Sequence, residues 1–456
     1  MCQWQEVLGT VYAPLYYASA LLADGRFVMI GGEYDYNYSY INSSGEVWTD
    51  QGAIYDPVAN SWTCIAAPSG WTQIGGAESV VLDDGTFMIA DPFNDAVATL
   101  NTGTNPPTFN APFTPAGKSA DSLNDEEAWI LLPDGTVFTT EIWNSMDATE
   151  TPALTYSPTT QAWSSAGIAP DPLVLLTKGG ITYEETGPAM LRPDGTVFAS
   201  GATGFNDIYD TSTGIWSSGP SFPTVTGTYS SGSCNTIGVT EQLVAADAPA
   251  ALLPDGNVLI APGPIDSQSA CEWVPPSVFF EFDGTSLTQV AQPTYAADVS
   301  SYLGRLLVLP TGQILYTNYY DYIELYTPAG TSDASWAPTI ATSPAQVTSG
   351  GTNTAHRHAV QRLVASGQLW RRLPGRHQFS AGTNHQQRDR ARLVCAHSQS
   401  QHDGGGDGQR HGLDRVRCAG RHRSGRKHPG RRRRWNRVFT GACERVGLDS
   451  DRDRYS

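Results

Sequence analysis

The chain has 456 residues, of which 40% are hydrophobic and 16% charged, and a formal net charge of −17. Through residue 354 only 5 basic residues stand against 37 acidic ones, so this part carries −32. Such a body repels nucleic acid and anionic membrane surfaces, and no stretch of the sequence approaches the length of a membrane span.

Taken in order, the chain repeats one short phrase. It reads Leu22-Ala23-Asp24-Gly25, Leu82-Asp83-Asp84-Gly85 and Leu132-Pro133-Asp134-Gly135. It returns before Gly195, Gly256 and Gly312, at intervals of 50 to 61 residues. Apolar runs flank each copy, as in Phe27-Val28-Met29-Ile30. Asp-Gly between two apolar runs predicts a hairpin: the Asp accepts from the backbone two residues on, and Gly takes φ > 0 without a Cβ clash. One hairpin per period of this length predicts propeller blades.

A second phrase follows each hairpin. Tyr55 leads to Trp62, Tyr156 to Trp163 and Tyr209 to Trp216, each with a gap of 7. Tyr326 is expected to reach Trp336 through a longer turn. Each unit then offers four strands, an antiparallel blade. The Trp on the outer strand is expected to fill the wedge between blades. Six units span residues 8–345.

Both ends read differently. Met1 to Val7 holds Trp4 where an outer strand would carry its Trp, and no secretory leader precedes it. The segment is either an outer strand that closes the ring or the start of a chain that begins within a blade, and the second is preferred. In that case strand edges at residues 18–22 and 322–326 are left unpaired. Residues 355–456 hold 23 of the 28 basic residues and all 9 histidines. Back-translated and read one base later, residues 358–380, 393–408 and 436–456 can encode β-type sequence. The expectation is a frameshifted tail over residues 346–456, irregular or disordered, rather than a basic nucleic-acid-binding arm. Cys234 and Cys271 lie within one unit, and a disulfide between them competes with two separate buried thiols.

Gly31-Gly32-Glu33-Tyr34, Gly52-Ala53-Ile54-Tyr55-Asp56-Pro57 and Phe280-Glu281-Phe282-Asp283-Gly284 carry a resemblance. The stretch 8–354 resembles the kelch-type β-propeller of the galactose oxidase superfamily, most closely its bacterial exported kelch-repeat proteins of unassigned activity. The resemblance implies an all-β fold of seven blades, six of them visible here, with a C-terminal β-sandwich where the tail stands. It also implies an upstream blade and export, extracellular or periplasmic. The superfamily's copper–radical site needs a cross-linked Tyr, an axial Tyr and two imidazoles. Tyr16 could match the first. The Tyr-His pair of the family reads Tyr302-Leu303 here, and no histidine precedes His356. Copper is therefore not expected, and Tyr16 and Tyr302 are expected to be packing or loop residues.

Two sets of residues remain as candidates. Glu78, Glu127, Glu185 and Asp247 precede successive inner strands, with Asp125, Glu126 and Glu184 beside them, and should cluster at one mouth of the channel. They could hold Ca²⁺ or a cationic group, or form a solvated acidic rim. Tyr34, Tyr36, Tyr38 and Tyr40 lie in one loop, and Tyr319 and Tyr320 in the equivalent loop of the last unit. Tyr on a loop suits sugar stacking, or the loops carry no ligand. No phosphate-binding Gly-rich loop, Ser-His-Asp set or Cys-x-x-Cys pair occurs in this part. The sequence thus predicts an exported, non-catalytic module binding glycans or a cell-surface partner. The alternatives are an oxidase-like copper enzyme that has lost its metal ligands and a purely structural array.

Overall fold

The computed structural model describes residues 6–7, 10–11, 14–35, 48–119, 123–142, 150–178, 181–231, 234–265, 274–318, 322–333, 339–342, 352–358, 377–380 and 435–437. The chain divides into two compact units. One comprises residues 1–343, 354–377 and 433–456, and the other comprises 344–353 and 378–432. In the second unit the described residues are 352–353 and 378–380, parts of the strands Thr352–His358 and His377–Ser380.

The first unit is all-β and contains, among the described residues, six four-stranded antiparallel sheets, the blades of a propeller. Blade one is built from Ala18–Leu21, Phe27–Ile30, Gly52–Asp56 and Ser61–Ile65. Blade two is Ser79–Val81, Phe87–Ala90, Val97–Asn101 and Thr108–Phe109. Blade three is Ile130–Leu131, Val137–Thr140, Thr151–Ser157 and Ala162–Ala169. Blade four is Thr186–Leu191, Thr196–Gly201, Asn206–Asp210 and Ile215–Ser218. Blade five is Ala250–Leu252, Val258–Ile260, Phe280–Phe282 and Leu287–Gln289. Blade six is Arg305–Val308, Ile314–Thr317, Ile323–Tyr326 and Trp435–Arg437.

The repeated turn works as its chemistry demands. The carboxylates of Asp24, Asp84, Asp134, Asp194 and Asp255 each accept the backbone N–H two residues on, at 2.8 to 3.1 Å. In the sixth copy the Thr311 hydroxyl replaces the carboxylate, at 3.4 Å. The turn glycines all lie in the left-handed region, with φ from +79° to +100°.

In the second hairpin Tyr55 faces Trp62, Tyr156 faces Trp163 and Tyr209 faces Trp216 across the ladder. Their ring centroids lie 5.1 to 5.3 Å apart. Blade six keeps the pairing but not the expected partner. Tyr326 stands opposite Trp435, and Trp336 lies outside the described residues. The edge at Ile323–Tyr326 is therefore paired, by a strand drawn from the basic tail.

Apolar cores fill the junctions between blades one and two, two and three, three and four, four and five, and five and six. Trp163 is buried in the core it shares with blade two, and Trp216 packs on the core shared with blade three. No core cluster joins blade six to blade one among the described residues. There Trp62 is 46% exposed, and Leu307 and Ile323 of blade six are 48% and 47% exposed.

Candidate functional site

The first strands of blades one to six pack against one another in succession. The residues just before each of them therefore meet at one end of the array. Three of those residues adopt φ > 0 without being glycine: Tyr16 (+55°), Glu126 (+57°) and Asp247 (+50°). Side chains rarely tolerate that backbone, and such strain concentrates where a side chain must be aimed.

The aim is mutual. The carboxyls of Glu126 and Glu185, from blades three and four, are hydrogen-bonded to each other. The Glu185 Oε2 atom is buried and has no hydrogen-bond partner. Both carboxyls are pushed far above the usual carboxylate range, first by burial and next by the negative charge of Asp247. Two acids in contact cannot both ionise, so the pair keeps a proton at neutral pH. Asp247, from blade five, is raised to about 6 by burial, and Arg305 works against the rise. Asp125 is raised to about 6 by burial alone.

Arg305, at the start of blade six, sets the other wall. Its guanidinium lies 5.2 Å from the centre of the Tyr16 ring and donates to the carbonyls of Tyr302 (2.6 Å) and Gly304 (2.7 Å). Burial, opposed by Arg305, pushes the Tyr16 phenol up to about 12. Tyr34 meets Tyr16 edge-to-face at 5.7 Å. The mouth thus gathers phenols, a guanidinium, the Asp247 carboxyl and a protonated acid pair from five blades.

The four carboxylates expected at the mouth divide. Glu185 and Asp247 belong to it. Glu127 does not open onto it: the residue is fully buried, and Lys118 Nζ binds its Oε1 at 2.8 Å. Trp129 Nε1 donates to its other oxygen at 3.1 Å. Lys118 also donates to Asn124 Oδ1 at 2.7 Å and to the Leu123 carbonyl at 3.1 Å. The Lys118 network therefore pins the loop that presents Asp125 and Glu126. Glu78 is raised well above its ordinary value, by burial first and then by Glu127. Of the tyrosines, Tyr34 lies beside the mouth, whereas Tyr36, Tyr38, Tyr40, Tyr319 and Tyr320 lie outside the described residues.

The mouth does not fit a copper–radical centre. The Arg305 guanidinium lies over the Tyr16 ring and donates to the Tyr302 carbonyl, and the histidines of the chain begin at residue 356. Among the described residues no three His, Cys, Asp or Glu side chains are grouped to hold a metal ion. Tyr16 and Tyr302, expected to be packing or loop residues, both contact Arg305, Tyr16 through its ring and Tyr302 through its carbonyl. Sequence reasoning set Glu126 only beside the candidates and missed Arg305. The loops before the inner strands hide them, because the signal is their convergence across blades.

Cys64 and Cys234 are both disulfide-bonded, and Cys271 lies outside the described residues. No helix among the described residues is long and apolar enough to cross a membrane.

No family model matches the chain. It is similar to the Kelch-like protein terF of Aspergillus terreus, 27% identical over 131 residues, which are 29% of this chain and 25% of that one. The chain thus matches about a quarter of that relative's length. Among solved structures it is similar to a fungal alcohol oxidase of the AA5 family in complex with copper. That likeness is 12% identical with a TM-score of 0.48, over 78% of this chain and 72% of that one.

Proposed function

We propose that the protein is an exported, non-catalytic binding module that holds a carbohydrate, or a ligand as rich in hydroxyls, at the axial mouth of the propeller. The observation that supports this best is the meeting of Tyr16, Glu126, Glu185, Asp247 and Arg305. A carboxyl pair sharing one proton offers a donor and several acceptors at once. That is what vicinal hydroxyls need, and aromatic faces beside it suit the apolar side of a sugar ring. The Cys64 and Cys234 disulfides support an oxidising, exported setting.

The same contact speaks against glycoside hydrolysis. Glycosidases keep their two carboxyls about 5 to 9.5 Å apart, so that the bond or a water fits between them. Carboxyls in hydrogen-bond contact leave no such space. A glycan array probed with the full chain tests the proposal. Retention of one structurally related group of glycans is expected. A blank array would overturn the carbohydrate assignment.

A further inference from the structure

Besides pinning the loop at the mouth, Lys118 brings an amine, an amide and a carboxyl into contact. Lys118 follows the last strand of blade two, and Asn124 and Glu127 precede the first strand of blade three. The lysine and glutamate side chains have no exposed surface, and Asn124 is fully buried. Lys118 Nζ donates to Asn124 Oδ1 at 2.7 Å and to Glu127 Oε1 at 2.8 Å. The amide is also held from its other end: Asn124 Nδ2 donates to the carbonyls of Asn94 (3.0 Å) and Ala96 (3.2 Å).

These are the parts of an amide transfer. With Nζ 2.7 Å from Oδ1, the amide carbon lies no further than about 4 Å from the amine, near the ~3–3.5 Å of a near-attack arrangement. Trp129 Nε1 holds the second Glu127 oxygen at 3.1 Å, and the centre of the Trp163 ring lies 5.4 Å from Nζ. Both tryptophans are buried. Such dry surroundings favour a neutral amine and a neutral acid over the charged pair. Burial pushes the Glu127 carboxyl up, with Lys118 opposing.

We propose that Lys118 and Asn124 join in an isopeptide bond, with Glu127 as the proton carrier. Glu127 takes one proton from the ammonium, and the freed lone pair on Nζ attacks Asn124 Cγ. The Nζ–Cγ bond forms and the Cγ–Nδ2 bond breaks. Glu127 returns its proton to Nδ2, which leaves as ammonia, and the second ammonium proton ends on Glu127. The three groups sum to zero charge before and after, and the step needs no oxidant or reductant. The product also relieves the site of two buried charges, whose desolvation an ion pair must offset. The bond ties Lys118 to Asn124, next to the Asp125 and Glu126 carboxyls of the mouth.

Mass spectrometry of the full chain, folded first and then unfolded and reduced, reads the bond directly. The expected mass is that of the sequence less one ammonia. Trypsin locates the loss, because between Arg26 and Lys178 the only basic residue is Lys118. A bonded Lys118 leaves residues 27–178 in one piece, whereas a free one gives 27–118 and 119–178. Lys118→Arg and Glu127→Gln should each keep their full sequence mass and be cut after residue 118. If Lys118→Arg does not fold by circular dichroism, Asn124→Ser takes its place with the same expectation. A native chain at full sequence mass, cut after Lys118, would overturn the proposal. An ammonia loss that persists in Lys118→Arg would overturn it too, because the loss would then come from another amide. A bond formed as completely in Glu127→Gln as in the native chain would overturn the role of Glu127.

Discussion

Glu126 and Glu185 share a hydrogen bond between carboxyls supplied by neighbouring blades. This contact sets a pH dependence whose sign can be worked out. Both groups have folded values above their unfolded ones, so the folded chain binds more protons than the unfolded chain as pH rises past the ordinary carboxylate range. Stability is then complete at low pH, below the unfolded values, and falls as pH climbs toward the folded values of about 8 and about 10. The melting temperature should therefore fall between about pH 5 and about pH 9. Glu185→Gln, which keeps the donor and removes the titration, should flatten the curve. An unchanged slope in that variant would separate the pH response from this pair.

Lys118 and Glu127 predict a different kind of loss. Neither side chain is exposed, so removing the lysine leaves a buried acid with no counter-charge. Lys118→Met should cost about 3–5 kcal/mol in denaturant unfolding. The double variant Lys118→Met/Glu127→Leu should recover much of that, because replacing both charges removes the uncompensated one.

Trp62 and Trp163 occupy the same register in their blades but different surroundings. Trp163 is 4% exposed and Trp62 is 46% exposed. Trp163→Ala should cost about 3–5 kcal/mol, as expected for a large buried ring. Trp62→Ala should cost clearly less, and should lower the tendency to associate through the exposed apolar face of blade one. Equal costs would mean that the outer face of blade one is covered in solution.

Gly135 and Gly195 lie at φ +91° and +86°. A Cβ there would meet nothing closer than 3.7 Å and 3.6 Å respectively, so crowding is not the obstacle. Replacing either by Val forces a β-branched residue into the left-handed region, at about 1–3 kcal/mol. Neutral outcomes at both positions in thermal unfolding would refute the turn assignment.

Much of the fold was legible because its signals are local. Asp134 and Gly135 make their turn with residues no further away than Leu132 and Thr136, and Tyr156 finds Trp163 across a single hairpin. The candidate site was legible only in part. Glu185 and Asp247 could be placed by counting back from the turn glycines. Nothing in the spacing shows that Glu126, rather than Glu127, faces Glu185, because that depends on the φ > 0 kink and on Lys118 drawing Glu127 inward. The pairing of Tyr326 with Trp435 joins positions far apart in the chain, and Trp435 lies in a segment without strand periodicity. The interval from Tyr326 to Trp336 could not reveal it.

The most direct test of the mouth as the binding site is the glycan array repeated with two substituted chains, Glu185→Gln and Arg305→Gln. Both sites lie at the array's axial end, and Glu185→Gln preserves shape while replacing one carboxyl oxygen by an amide nitrogen that only donates. Loss of the bound glycans in both variants, with melting behaviour otherwise close to the native chain at about pH 6, is the result expected. Glycan binding at native strength in both would contradict the account and move the ligand to the peripheral loops.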